Sequence, residues 1–455
     1  MPTGGKLSGK LSPCLTRRAI LKTTAVAGSL SAFGSISAAA EEGDIIWEFD
    51  VGDLVVSSPT VINETLYVGS NGSDIYAIDA STGKREWVFE TDGYVNSSPA
   101  IVDDTVYIGS NDGNVYAINR DTGEEQWQFD TGDDIRSAPT LADGTVFIGN
   151  GDSQDPVDTS VYAISASTGE QEWRVEVDDR VSSAPIVDDE TLFVHSTGDT
   201  LYALDSETGT TEWTKKTGGS RSSPTIANDT VFVGGSSNVY AFNKSTGDEQ
   251  WVFEANADFI TSSPTVRNNT VFIGITSKNK LSAIDVDSGD EVWEFPIEEP
   301  INSSPTFVAG TIFVGSEGGY VYSVDADTGT EQWRVSVDDE VGSSPVVVDG
   351  VLYIGSIKRD PYGGAVYAID AGLSGSSEGS RVNLGTLGHH DVWADNQSAS
   401  GSDESSGDGP NGLSEYENAD GNVGTDGLLR AIGDWRNGDA DTELLLNVIA
   451  AWRGS

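Results

Sequence analysis

Between residues 45 and 370 apolar and polar positions alternate in short runs, broken by Asn, Asp, Gly, Ser and Thr. Residues 55–62 (VVSSPTVI), 65–70 (TLYVGS), 74–79 (DIYAID) and 85–90 (REWVFE) show the pattern, with β-branched and aromatic side chains at most apolar positions. A period of two over runs this short predicts half-buried strands. Asn63-Glu64, Asn71-Gly72 and Thr82-Gly83 fall between the runs and supply turn chemistry. The set therefore predicts four antiparallel strands joined by tight turns.

The set recurs along the chain. Residues 77–87 (AIDASTGKREW) read Ala-x-Asp-x-x-Thr-Gly-x-x-x-Trp, and the pattern returns with small changes at 117–127, 163–173, 203–213, 241–251, 283–293 and 323–333. A spacing of about forty residues marks stacked supersecondary units, and four antiparallel strands per unit make a propeller blade. One Ser-Ser-Pro or Ser-Ala-Pro landmark falls in each unit, at Pro59, Pro99, Pro139, Pro185, Pro224, Pro264, Pro305 and Pro345, so eight blades are expected. The last unit runs to residues 366–370 (VYAID) without a Thr-Gly-x-x-x-Trp segment, whereas a spare segment with Trp47 (IIWEFD) precedes the first. The N-terminal strand is thus expected to close blade eight and remove a free sheet edge. Trp47, Trp87, Trp127, Trp173, Trp213, Trp251, Trp293 and Trp333 are expected to dock neighbouring blades, each burying ~150–250 Å². The predicted fold is all-β, an eight-bladed propeller of four-stranded antiparallel blades over residues 45–370, with a small α-helical module near the C-terminus.

This pattern resembles the pyrroloquinoline quinone (PQQ) repeat family of eight-bladed propellers. The resemblance implies the fold but leaves function open, because the family holds quinoprotein dehydrogenases that carry PQQ and calcium and also cofactor-free interaction propellers. It is closer here to the cofactor-free kind typified by the bacterial outer-membrane assembly lipoprotein. Quinoprotein dehydrogenases need a stacking tryptophan and a calcium shell, and many carry a vicinal cysteine pair. All eight tryptophans before residue 390 are assigned to blade docking, and the chain has a single cysteine, Cys14. No cofactor is therefore expected; PQQ with calcium remains the alternative.

Charge narrows the partners. Acidic residues outnumber basic ones 73 to 25, a net charge of −48, and the first forty residues hold five of the positive charges and no negative one. Such a field repels nucleic-acid phosphates and excludes DNA and RNA as partners. It is expected of a surface adapted to high salt, where screening shrinks to ~3 Å at 1 M. Steering of a substrate is the alternative.

Residues 16–22 (TRRAILK) resemble the twin-arginine export consensus and precede a weakly apolar stretch, with a cleavage site expected after Ala38-Ala39-Ala40. Residues 1–40 are thus read as an export signal, and cleavage would leave no cysteine and hence no disulfide or thiol chemistry. The apolar stretch is too short and too interrupted to remain as a membrane span.

Residues just before each Ser-Ser-Pro landmark are expected to line the mouth of the axial channel. Among them Asn96, Arg136, Arg221 and Asn302 are the candidate ligand or partner rim: the two arginines either balance the neighbouring acids, the preferred reading, or hold a carboxylate within an otherwise acidic ring. His195 occupies a position that is glycine in the other seven blades, and its structural reading is preferred to a catalytic one. The longer loops 150–159 and 357–364 are recognition candidates or tolerated insertions, and Tyr94, Phe259 and Tyr362 are the only aromatics that argue for carbohydrate binding at the top face.

Beyond the repeats, residues 371–413 read as a flexible acidic Gly/Ser linker, in which His389-His390-Asp391 is too isolated to make a metal site. Residues 414–455 contain a second duplication, Thr425, Leu428, Leu429, Ile432, Trp435 and Arg436 returning as Thr442, Leu445, Leu446, Ile449, Trp452 and Arg453. Both copies have helical spacing and an N-cap threonine. Asp420, Asn422, Asp439 and Asp441 precede them in loops that resemble the degenerate calcium loops of a dockerin-like module, with ligands missing from the full pattern. A plain helical hairpin is the alternative. Together these features predict an exported, non-catalytic scaffold, extracellular or at the cell surface, that binds envelope or extracellular proteins through its top face and C-terminal module. A PQQ- and calcium-dependent dehydrogenase and a carbohydrate-binding propeller are the alternatives.

Overall fold

The computed structural model describes residues 42–151 and 159–377. The export signal, Cys14, residues 152–158 of the first long loop, most of the linker, and the C-terminal module with Asp420, Asn422, Asp439 and Asp441 lie outside the described residues.

In the first blade Thr60–Ile62, Thr65–Gly69, Asp74–Asp79 and Lys84–Glu90 pair antiparallel in chain order from the inside outward. The described residues form eight four-stranded sheets of this kind. The eighth takes Val346–Val348, Val351–Gly355 and Ala365–Asp370 from one end of the repeats and Ile45–Asp50 from the other, the latter as its outermost strand. No helix among the described residues is long and apolar enough to cross a membrane.

Apolar residues of the middle strands meet those of the next blade, so the core is a series of inter-blade layers rather than one centre. Ile62, Tyr67 and Ile75 of the first blade, for example, pack with Ile101, Val106 and Ile108 of the second. At this layer Gly69 is required by close approach: a Cβ there would stand 2.4 Å from Cγ1 of Val95, the aliphatic residue that leads into the next blade.

The innermost strand is shorter than the sequence predicts. Residues 55–62 read as one strand, but only Thr60–Ile62 pairs. Pro59 has no N–H to give, and the serines before it replace ladder bonds with side-chain ones. Ser57 Oγ accepts the Gly69 N–H at 3.1 Å, within its own blade. The Ser58 N–H donates to Ser98 Oγ at 2.9 Å, and Thr60 Oγ1 donates to the Pro99 carbonyl at 2.8 Å, both in the next blade. The Ser-Ser-Pro-Thr landmark is therefore the joint between inner strands.

A second joint lies at the rim. Trp87 Nε1 donates to the Arg120 carbonyl of the next blade at 2.7 Å, and Tyr67, its ring centroid 5.8 Å from Trp87, donates to the same carbonyl at 3.2 Å. The same indole bond recurs from Trp47 through Trp293 at 2.7–3.0 Å. The glycine of each Thr-Gly turn lies against the indole of the blade before it, as Gly123 does against Trp87. At the closing seam Gly43, two residues before the strand Ile45–Asp50, takes this place against Trp333.

Residues 371–377, expected as the start of the linker, are fixed to the propeller. The Ser377 N–H donates to the Val347 carbonyl at 2.7 Å, and the Val347 N–H donates to Ser377 Oγ at 3.0 Å. This continues the chain along the free edge of an innermost strand.

Two glycines separate the backbone and contact contributions at the rim. Gly132 has φ +84° with open space around its Cβ position, whereas Gly123 has φ +71° and a Cβ would stand 2.8 Å from Cδ2 of Trp87. Gly132→Ala is expected to lose ~1–2 kcal/mol for the left-handed backbone alone, and Gly123→Ala a further ~1–3 kcal/mol for overpacking. Urea midpoints at constant salt measure the difference; equal losses would remove the indole contact as the cause.

Candidate functional site

Loops from each outer strand to the next inner strand converge on the axis and form the channel mouth. The mouth opens into a cavity of about 180 Å³ lined by the second landmark residues Ser58, Ser98, Ala138, Ala184, Ser223, Ser263, Ser304 and Ser344. Six of the inter-blade links in this ring are N–H to Oγ bonds at 2.9–3.0 Å: Ser58 to Ser98, Ala184 to Ser223, Ser223 to Ser263, Ser263 to Ser304, Ser304 to Ser344 and Ser344 to Ser58. The ring breaks where Ala138 and Ala184 stand in place of serine, because a methyl group accepts nothing.

Above the ring, Asn96, Arg136, Ser182, Arg221, Thr261 and Gly342 line the mouth. Arg136 and Arg221 thus share one cavity with Asn96. Asn302 does not line it; its amide donates to Glu317, and its oxygen accepts from Thr261 Oγ1 at 2.7 Å. A third cation, Arg180, acts on the same sector: the surrounding walls, then Arg180 and Arg136, press the pKa of Arg221 downward. Sequence reasoning passed over Arg180 because it stands two places before the rim position, where the preceding blade has Asp134. Arg136 pairs with Asp134 at 3.2 Å. Across the mouth, burial and then the Glu340 carboxylate hold Glu317 above the ordinary carboxylate range, and Glu340 pairs with Arg359. The rim is therefore cationic on one side and acidic on the other.

Two other rim acids are occupied locally. Asp178 accepts from Ser196, Thr200 and Lys216, and Asp338 accepts from Ser356 Oγ at 2.7 Å. Among the described residues no group of three or more His, Cys, Asp or Glu is placed to hold a metal ion. Among the described residues no aromatic side chain lines the channel mouth, and the indoles from Trp47 through Trp293 are committed to the blade seams. These residues do not fit a flat quinone stacked over calcium. The second long loop is a hairpin, Lys358–Arg359 paired with Tyr362–Gly363. Tyr94, Phe259 and Tyr362 are exposed.

His195 has a different role. It is fully buried, and Ser220 stands opposite it where other blades carry Val or Ile against glycine. Loss of the β-branched side chain at Ser220 makes room for the imidazole. Nδ1 lies 3.1 Å from the Ser222 carbonyl and Nε2 lies 2.8 Å from Thr217 Oγ1. The neutral ring thus donates from Nδ1 and accepts at Nε2. Burial pushes its pKa down to about 4, against hydrogen bonds that favour the charged form. The histidine fills a gap in the inter-blade layer.

The family described as beta-alanine-activating enzyme, beta-propeller, matches residues 102–356, and that described as outer membrane protein assembly factor BamB matches residues 19–154. No curated protein matches the sequence. BamB from Moraxella catarrhalis is similar in structure with a TM-score of 0.61 at 16% identity, over 72% of this chain and 99% of that one. A quinohemoprotein alcohol dehydrogenase from Comamonas testosteroni gives a TM-score of 0.61 at 17% identity, over 74% and 77%. The computationally designed Ika8 protein gives 0.61 at 16%, over 71% and 100%. An assembly factor, an oxidoreductase and a designed protein are equally alike, so the likeness concerns the fold alone.

The His195 and Ser220 pairing predicts coupled stability. His195→Gly and Ser220→Val are each expected to destabilise, and the double variant, which restores the arrangement of the other blades, to recover at least ~1 kcal/mol of their summed loss. The unfolded chain protonates His195 near 6.5 but the folded chain only near 4. Below pH 6.5 the unfolded state binds more protons, so this contribution to stability is full above that pH and falls by about 3 kcal/mol on going to pH 4. Urea unfolding of the parent, both single variants and the double variant across pH 4–8 tests both points; additive losses would remove the coupling, and parallel curves for parent and double variant would overturn the buried neutral histidine.

Proposed function

Since the chain belongs to the β-propeller family described as beta-alanine-activating enzyme, beta-propeller, one of the PQQ-repeat propellers, we propose that it is an exported, non-catalytic scaffold that binds a partner protein at the cell envelope on its top face. The observation that carries this reading is the lining of the channel mouth. Serine, alanine, amide and guanidinium groups meet there, without a flat apolar floor for a quinone, so the rim supplies recognition rather than redox chemistry. The exposed side chains of Tyr94 and Tyr362 around it are of the kind that anchor protein interfaces. The match to the assembly factor BamB supports the same class of role. Export is supported by the arginine pair Arg17-Arg18 ahead of a weakly apolar stretch and by the lack of cysteine after Cys14.

Two measurements test this. Cross-linking to envelope proteins at high salt is expected to recover a partner with the parent chain, and Tyr94→Ala with Tyr362→Ala to reduce that recovery at least tenfold while the thermal midpoint stays unchanged. Recovery insensitive to these changes but abolished by removal of residues 378–455 would move the interface off the top face. Calorimetric titration with PQQ and calcium, with a dye-linked alcohol oxidation assay, is expected to give no turnover; turnover would replace the scaffold reading with an oxidoreductase.

A further inference from the structure

We propose that the cationic sector of the channel mouth, formed by Arg136, Arg180 and Arg221 above the break in the serine ring, is a binding site for a small oxyanion, a carboxylate or phosphate group. This goes beyond the scaffold reading, since the site needs no protein partner.

Two independent features coincide in one sector. Elsewhere around the ring each N–H at the second landmark position is taken by the hydroxyl of the next blade. The N–H groups of Ser98 and Ala138 face Ala138 and Ala184 instead, and all three residues line the cavity. Two backbone donors are thereby left without the acceptor their counterparts have. An unmet buried donor is costly, and the substitution of two serines that would have met them is what an external acceptor requires.

Arg136 and Arg221 line the same cavity as this gap, and Arg180 acts electrostatically on Arg221. Nε of Arg136 and Nε of Arg180 are buried without a hydrogen-bond partner among the described residues. Asp134 offsets one of the three charges, but its carboxylate also takes the Asn111 amide at 3.0 Å. Two other acids precede Arg180 in its loop: Asp178 is engaged by Ser196, Thr200 and Lys216, and Asp179 accepts the backbone N–H of Arg180 at 2.7 Å. The charged groups that act on Arg221 are Arg180 and Arg136, both cations, in a chain whose net charge is −48. Arginines that only balanced the acidic rim would not need a broken hydroxyl ring beneath them.

Size and geometry set the ligand class. A cavity of about 180 Å³ is below the ~300–1,000 Å³ of pockets for larger organic ligands. Guanidinium forks match the paired oxygens of carboxylates and phosphates, and backbone N–H groups complete such a cradle. The overall field repels anions, so binding must come from direct contact and persist at 1 M salt, where screening reaches only ~3 Å.

Calorimetric titration of the full chain in 1 M potassium chloride, with malonate and with inorganic phosphate as probes, tests the site and tells the two oxyanions apart. Saturable binding of at least one probe is expected, with Arg221→Gln and Arg180→Gln each weakening it about tenfold. The double variant Ala138→Ser with Ala184→Ser completes the ring, and is expected to weaken binding several-fold while its thermal midpoint holds or rises. No saturable binding of either probe, or equal binding by parent and variants of unchanged circular dichroism, overturns the proposal. Neither result touches the partner test, which uses Tyr94 and Tyr362.

Discussion

The joint made by each Ser-Ser-Pro-Thr segment is the constraint on which the rest of the propeller depends. Its hydroxyls accept backbone N–H groups that strand pairing cannot satisfy beside a proline, and its threonine reaches the next blade's proline carbonyl, as Thr265 does to Pro305 at 2.6 Å. One such bond contributes only ~0.5–1.5 kcal/mol net. Repeated at six serine links and five threonine links around the axis, these bonds fix the spacing of inner strands, and with it the width of the channel. The position of every rim side chain follows from that spacing.

The outer joint works by a different principle. At three seams indole and phenol groups share one carbonyl of the next blade, while at others phenylalanine packs on the indole, and a turn glycine lets the indole lie flat against the backbone. Inner and outer joints together hold each blade at two radii, so neighbouring sheets cannot pivot about a single contact. The acidic surface lies outside both joints, mostly on exposed turn and outer-strand positions such as Glu86, Glu125 and Glu212. Surface charge and core packing are thus separated in space, which allows a strongly charged exterior on an ordinary apolar interior.

The architecture was legible in the sequence because repetition multiplies a weak signal: one run of alternating residues is ambiguous, but a Trp-bearing unit written at regular spacing is not. Closure by the Trp47 segment was legible for the same reason, as a remainder in the count. The short inner strand was not, since apolar alternation at Val55 and Val56 looks like a strand until the proline and serines divert its hydrogen bonds. The site was legible only in part. Position relative to the landmark identified Arg136 and Arg221, but Arg180 lies out of register with them and Asn302 turns away into a local hydrogen-bond chain. The meaning of Ala138 and Ala184 was hidden, because each alanine is an unremarkable variant until the ring of hydroxyls it interrupts is seen. His195 stood out as an exception to glycine, while its explanation lay in a second exception, Ser220, more than twenty residues away.

The pairing of Ile45–Asp50 with Ala365–Asp370 also governs how the chain reaches this state. The strand synthesised first must wait for the strand synthesised last, and contacts of such high sequence separation form slowly. Until they do, the first and last blades present open edges and an unfinished apolar layer, the usual points of misassembly. A dense acidic exterior keeps such open rings apart through mutual repulsion, most strongly where salt is low. The same charge that suits the finished surface thus also guards the unfinished ring, and the seam sets the moment at which that protection is no longer needed.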